Sequence, residues 1–147
     1  MIIVDVNLLL VATIEETSGH PEASAWLGER LSGSVRVGLP WPVLIGFIRI
    51  SAQSRVWERP VPFDVSLGIV RSWLSRPCVW TPEPGPAHVD ILERLLAGRG
   101  SPRDVADAHL AATAIEHGLI VCSMDHDFAR WEAAGLRWQD PLISDGC

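Results

Sequence analysis

Asp5, Asp107 and Asp125 stand where folding alone would favour neutral residues. Asp5 interrupts the apolar run Met1-Ile2-Ile3-Val4-Asp5-Val6, and Asp107 opens the small-residue stretch Asp107-Ala108-His109-Leu110-Ala111-Ala112. Asp125 follows Leu119-Ile120-Val121-Cys122-Ser123-Met124 and leads into His126-Asp127-Phe128. A carboxylate beside such segments is costly to bury unless it is paired, hydrogen-bonded or bound to a metal. Three of them suggest a hard-cation site, because Mg²⁺ and Mn²⁺ take oxygen ligands from a few carboxylates, waters and substrate phosphate. The chemistry of such a site is phosphodiester hydrolysis, which then requires no nucleophilic side chain. Each acid also has a plainer reading. Asp5 reads as a strand-end turn acid, Asp107 as a charge tuning a helix N-terminus, and Asp125 with Asp127 as a turn and N-cap before Phe128.

For these acids to meet, the elements that carry them must align. Residues 2–6 are β-branched and almost continuously apolar, the pattern of a buried strand. Residues 7–14 read as a short apolar helix, and His20-Pro21-Glu22 starts a second helix that Gly33 ends. A strand over 35–39 precedes a helix from Pro42 to about residue 52, and Asp64 reads as the N-cap of a helix reaching about residue 75. After a short strand over 78–81, Pro82, Pro84 and Pro86 make a rigid loop before a helix that ends near Gly98. Residues 98–102 form a flexible turn. A long helix over about 104–117 follows, with Asp104 as its expected N-cap and Gly118 suited to the position just past its end. A strand over 119–123, a short helix over 128–133 and a last strand around 136–138 complete the pattern. Strands separated by helices imply an α/β fold with a mainly parallel sheet. Such sheets build sites outside the carboxyl ends of their strands, so this topology can bring the distant acids to one edge.

The 147 residues read as a single domain, 1–147, without repeat or linker, and 48% apolar against 20% charged residues is the balance of a compact globule. No apolar run approaches the roughly 18 residues of a membrane span. The start Met1-Ile2-Ile3-Val4-Asp5 lacks a basic n-region, so a cytoplasmic protein with no membrane partner is expected. Cys78, Cys122 and Cys147 form no CxxC pair and read as free thiols, with Cys122 packing as a small hydrophobe. All twelve basic residues are arginine. The lack of lysine excludes Walker-type phosphate binding and Schiff-base chemistry by this chain acting alone. A net charge of −6 disfavours broad nucleic-acid binding, so a nucleic-acid enzyme of this charge needs a local arginine patch, metal at its acids, or both. Arg49, Arg55 and Arg59 are the best basic cluster, readable equally as a solvated helix end. Most of the seven tryptophans read as core or interface, with Trp57 the one best placed to stack on RNA bases. His109 and His117 share a helix face too loosely for zinc, and His126 reads as a solvated turn residue.

Four stretches in order carry a resemblance: Ile3-Val4-Asp5-Val6-Asn7-Leu8-Leu9, Trp41-Pro42-Val43-Leu44-Ile45-Gly46-Phe47-Ile48-Arg49, Asp107-Ala108-His109-Leu110-Ala111-Ala112, and Ser123-Met124-Asp125-His126-Asp127-Phe128. With Gly135-Leu136-Arg137-Trp138 they span nearly the whole chain. None is specific alone, but the ordered set resembles the PIN-domain ribonucleases, most closely the mycobacterial-type VapC toxins of VapBC toxin–antitoxin pairs. The resemblance implies a PIN-like three-layer α/β/α sandwich with a short, mainly parallel sheet, and a Mg²⁺- or Mn²⁺-dependent endoribonuclease. Asp5, Asp107 and Asp125 match the catalytic, metal-holding acids, and Asp127 matches a nearby supporting one. The expected partners are RNA, a second copy in a homodimer, and a small VapB-like antitoxin lying across the groove in a hetero-oligomer. One position departs from the pattern. Gly46 stands where many PIN nucleases carry glutamate, which leaves fewer metal ligands, with Asp104 or Asp127 as candidates to compensate. Ser123 is expected to assist by hydrogen bonding near the site. The alternative is a PIN-like RNA-binding or protein-interaction module with weakened catalysis.

Overall fold

A computed structural model describes residues 1–98 and 100–143, so Arg99 in the expected flexible turn and Cys147 lie outside the described residues. Five short strands form the sheet: β1 (Ile2–Val4), β2 (Val37–Gly38), β3 (Val79–Trp80), β4 (Ile120–Cys122) and β5 (Arg137–Gln139). Their order is β3-β2-β1-β4-β5 and every neighbouring pair is parallel, with Val4 opposite Cys122 across the β1–β4 pair. The helices are α1 (Val6–Thr13), α2 (His20–Ser32), α3 (Trp41–Ser51), α4 (Phe63–Leu74), α5 (His88–Leu96) and α6 (Val105–His117).

Parallel strands require crossovers, and these are right-handed in nearly all proteins. The chain moves one way along the sheet from β1 to β3 and the other way from β3 through β4 to β5. The connecting helices therefore fall on opposite faces, which gives the expected three layers. Packing agrees: α1 contacts α2 and α3, α3 contacts α4, and α5 contacts α6. A strand covered on both sides has no face for polar residues, and Ile2, Ile3 and Val4 are all buried. Leu8, Leu9, Leu44 and Phe47 seal one side, with the Phe47 ring 4.8 Å from Trp73, while Ala111, Phe128 and Leu119 contribute to the same core from other elements.

Four local expectations are corrected. Asp64 is not an N-cap; it lies in the first turn of α4, which Pro62 precedes in extended conformation without any side-chain cap. Proline's fixed φ starts that helix two residues earlier, and Asp64 is left to favour the helix dipole. Asp104 does not cap α6 with its side chain either. It closes a capping box with Ser101 around the 3₁₀ turn Pro102–Asp104, accepting from Ser101 N–H at 2.7 Å. The segment expected as a short helix over 128–133 is a run of 3₁₀ turns, His126–Ala134, with Asp125 as its N-cap. The strand expected over 35–39 pairs only at Val37–Gly38, since its neighbour β1 is itself three residues long.

Gly118 ends α6 as expected, at φ 64° and ψ 35° with its N–H bonded to Ala114 and Ile115 carbonyls. An added Cβ meets nothing within 4 Å, so the only penalty of a side chain is backbone strain. Gly118→Ala is expected to lower stability by about 1–2 kcal/mol in urea unfolding, and Gly118→Asn by less, because asparagine visits this conformation more readily.

Candidate active site

Asp5 is the residue at which β1 ends and α1 begins. Its backbone is extended (φ −79°, ψ 156°), and its Oδ1 accepts from Val6 N–H at 2.6 Å, an N-cap. Its Oδ2 accepts from Ser123 Oγ at 2.7 Å, one residue past the end of β4. Ser123 is fully buried and its hydroxyl is saturated: it donates to Asp5 and accepts from Asn7 Nδ2 (2.9 Å) and from Asp125 N–H (3.0 Å). Asn7 completes the junction by accepting from Met124 N–H at 3.3 Å. The adjacent parallel strands β1 and β4 thus hand their carboxyl ends to one polar network. This is where the direction of the sheet's connections reverses, the usual position for a site in an open parallel sheet.

Asp125 caps the 3₁₀ segment by accepting from Asp127 N–H at 2.9 Å. Asp107 comes from the first turn of α6, half-buried. The three acids act on one another electrostatically. Burial, and secondarily the charge of Asp125, holds the Asp5 carboxyl above its ordinary range, although hydrogen bonds from Ser123 and Val6 oppose the shift. Burial first, then the charges of Asp5 and Asp125, push Asp107 up to about 6, with Arg130 working the other way.

The remaining acids are placed differently. Asp104 is held below its usual range by the Ser101 N–H and by Arg130, with which it forms a 2.9 Å ion pair. That engagement ties it to Arg130, although its charge still adds a small upward push to Asp107. Asp127 is exposed, and it is not among the charges that act on Asp107. Among the described residues, no three His, Cys, Asp or Glu side chains close up as a ready metal cage. The donor set still fits a hard cation: every donor is a carboxylate oxygen, and the mutual repulsion of Asp5, Asp107 and Asp125 is what a divalent ion relieves. Mg²⁺ usually keeps several waters and takes only one or two carboxylates directly, so an open set of acids suits it.

Asp5 and Asp107 border a cleft of about 130 Å³, lined also by Gly46, Arg49 and His109 among others, and Asp125 stands outside its lining. A Cβ at Gly46 meets only Val6, at 3.4 Å, so glycine leaves open space where a longer side chain would project. Of the three arginines read as one cluster, Arg49 alone lines this cleft; Arg59 borders a separate depression with Glu15 and Glu16, and Arg55 is exposed in a turn. Trp57 does not stand free for base stacking. Its Nε1 donates to Ile50 O at 2.8 Å and its ring packs on the core, fastening the loop to the end of α3. His126 is exposed and faces Asp140 at 3.2 Å and the Trp138 ring. Cys122 is buried and its thiol is pushed up to about 11 by burial, which fits the expected packing role. Burial and the neighbouring His88 hold His109 below its ordinary pKa.

Sequence reading missed Asn7, whose only local signal is an amide two residues after Asp5 at a helix start. It also missed His88, which reaches His109 from α5.

The shift on Asp107 has a stability consequence in metal-free protein. A folded pKa of about 6, above an unfolded value near 3.8, gives stability that is present below about pH 4 and lost as pH rises through 6. With EDTA present, Asp107→Asn is therefore expected to stabilise the fold at pH 7.5, by roughly 1 kcal/mol after allowance for solvent screening, and to have little effect near pH 4. Urea unfolding at the two pH values measures the difference.

The PIN domain family profile matches residues 2–133. Ribonuclease VapC33 of Mycobacterium tuberculosis is 43% identical over 143 residues, covering 97% of this chain and 99% of that protein. The crystal structure of M. tuberculosis VapC20, described as a Sarcin–Ricin loop cleaving toxin, matches with a TM-score of 0.67 at 18% identity over 92% of this chain and 96% of that one. VapBC-1 from nontypeable Haemophilus influenzae matches with a TM-score of 0.66 at 16% identity over 97% and 100%. At such identities the solved structures speak for the fold, and the fold they share is the α/β architecture described above. With a family match over most of its length and a near full-length relative, the chain belongs to the PIN-domain family, in its VapC ribonuclease branch.

Proposed function

We propose that this chain is the toxin of a type II toxin–antitoxin pair, an endoribonuclease that hydrolyses RNA phosphodiesters and so inhibits growth. The observation that carries the reading is the placement of Asp5, Asp107 and Asp125, from the end of β1, α6 and the segment after β4, close enough that the charge of Asp125 raises the proton affinity of Asp5 and both raise that of Asp107. Likeness to a named ribonuclease over nearly the full length supports RNA as substrate. Asp5, Asp107 and Asp125 would hold Mg²⁺ or Mn²⁺, with the exposed Asp127 as a weaker neighbour. When bound, that ion supplies charge neutralisation at the phosphate and activation of the attacking water.

The chain's own groups have separable tasks. Ser123 and Val6 fix the Asp5 carboxylate, leaving its remaining lone pairs directed by the network. Arg49 offers the cleft a cation for a non-bridging phosphate oxygen, a contact that also offsets the net negative charge of the protein. Likeness to the solved VapBC-1 supports a VapB-like antitoxin as partner; a homodimer, and hetero-oligomers built on it, are part of this reading. Among the described residues no helix is long and apolar enough to cross a membrane; action on cytoplasmic RNA is part of this reading. Retention of all three acids, within a fully hydrogen-bonded network around Asp5, argues against a module that has lost catalysis.

The test is cleavage of a total RNA pool by purified protein in Mg²⁺, in Mn²⁺ and in EDTA, with sequencing of the new RNA ends. Discrete ends that appear only with divalent ion are expected. Retained RNA binding with no new ends in either metal would sink the enzyme reading in favour of a binding module.

A further inference from the structure

Glu116 of α6 is largely covered by the loop leading into α5. Its carboxylate accepts from Gly85 N–H (2.9 Å) and Ala87 N–H (3.0 Å) and faces His88 Nδ1 at 3.3 Å. His88, buried at the start of α5, uses its Nε2 to meet His109 Nδ1 at 2.9 Å, the two rings edge to face with centroids 4.8 Å apart. His109 lines the cleft beside Asp5, Arg49 and Asp107. A carboxylate–imidazole–imidazole chain thus runs from α5 and the far end of α6 to the candidate site, and the tasks assigned above use none of it.

Donor and acceptor capacity sets its direction. A carboxylate only accepts, so His88 donates from Nδ1. A neutral His88 then accepts at Nε2, and His109 must donate from its own Nδ1, which leaves the lone pair on His109 Nε2. That nitrogen has no hydrogen-bond partner among the described residues and is not sealed from solvent. Gly46 leaves room in the same cleft.

We propose that His109 Nε2 accepts a hydrogen bond from the ribose 2′-hydroxyl of the nucleotide at the cleavage point, so that His109 selects RNA over DNA. The inference rests on the ribonuclease reading above. The 2′-hydroxyl is the group by which a protein tells RNA from DNA at a given site. An acceptor held in one orientation reads it, because the analogue without the hydroxyl leaves that acceptor unpaired. His88 and Glu116 are positioning residues: they hold the ring and its tautomer.

The test compares single-turnover cleavage of an oligoribonucleotide containing a mapped cut site with the same strand carrying one 2′-deoxy nucleotide at the cut. Wild type, His109→Ala and His109→Gln are assayed, each checked for native circular dichroism. Wild type is expected to lose about 10-fold on the deoxy strand, the scale of one hydrogen bond. His109→Ala is expected to cut both strands at one reduced rate, and His109→Gln, whose amide oxygen accepts, to recover part of the preference. No penalty in wild type, or an equal penalty in wild type and His109→Ala, overturns the proposal and leaves the ribonuclease reading standing. A wild type that cuts no RNA in Mg²⁺ or Mn²⁺ overturns that reading and this inference with it. If His109→Ala fails to fold, His109→Gln decides: a deoxy penalty smaller than wild type's but still measurable supports acceptance at this position, and an unchanged penalty or none overturns it.

Discussion

Asp5→Asn is expected to lower RNA cleavage about 10³-fold or more while the protein stays folded. The substitution keeps the size of the side chain and its N-cap, because Asn Oδ1 can still accept from Val6 N–H. What it removes is the negative charge at the most buried of the three acids, the one whose carboxylate is fixed by two hydrogen bonds. Stability is subject to two opposing effects. The new amide directs an N–H toward Ser123 Oγ, whose acceptor sites are already taken by Asn7 and Asp125, so one bond of the network is lost at a cost of about 1 kcal/mol. Against this, a carboxyl whose pKa is raised by burial destabilises the fold at neutral pH, and the substitution removes that burden. The net change is expected to lie within about 1 kcal/mol of wild type by urea unfolding. Cleavage and growth inhibition at wild-type levels in this variant would remove Asp5, and with it the proposed metal site, from the mechanism.

Ser123→Ala tests the network instead of the charge. It deletes the donor to Asp5 and leaves Asn7 Nδ2 and Asp125 N–H facing a methyl group in a fully buried position. Unsatisfied buried donors cost about 1–3 kcal/mol, so a measurable drop in the denaturation midpoint is expected. Cleavage should fall about 10- to 100-fold among molecules that remain folded, the usual penalty for losing a group that orients a metal-holding side chain. The hydrogen bond from Ser123 is also what partly restrains the rise in the Asp5 pKa. Without it Asp5 holds its proton to higher pH, so the cleavage of Ser123→Ala is expected to rise with pH over a range displaced upward from wild type. A uniform loss of rate with an unchanged pH profile would reduce Ser123 to a packing residue.

Several parts of this protein were legible without coordinates because their causes are local. The apolar run at residues 2–4 declares a strand covered on both faces, and Gly118 declares a helix end. Asp5 and Asp107 were noticeable because charge beside apolar neighbours is expensive wherever the chain goes. The misreadings also have local causes that compete. Asp64 and Asp104 both looked like N-caps, but Pro62 began one helix two residues early, and Ser101 took the capping position before Asp104. Trp57 looked free because its partner, the carbonyl of Ile50, is a backbone group that no pattern of residue types identifies.

By itself the sequence determined the α/β alternation and the exclusion of lysine chemistry, and it singled out the three acids proposed for the site, since composition, periodicity and the cost of burying charge are written in each residue and its neighbours. Tertiary structure alone decided which groups touch. Asp5 meets Ser123 across 118 positions, Asn7 meets the same hydroxyl across 116, and His88 meets His109 across 21. The first two contacts depend on the register that sets Val4 opposite Cys122, because a slip of one residue turns every side chain of a strand to the other face. Tertiary packing likewise brought Arg49 to the cleft while leaving Arg55 and Arg59 outside it. In three arginines of the same type and charge, only the place of each backbone segment in the folded chain makes that distinction.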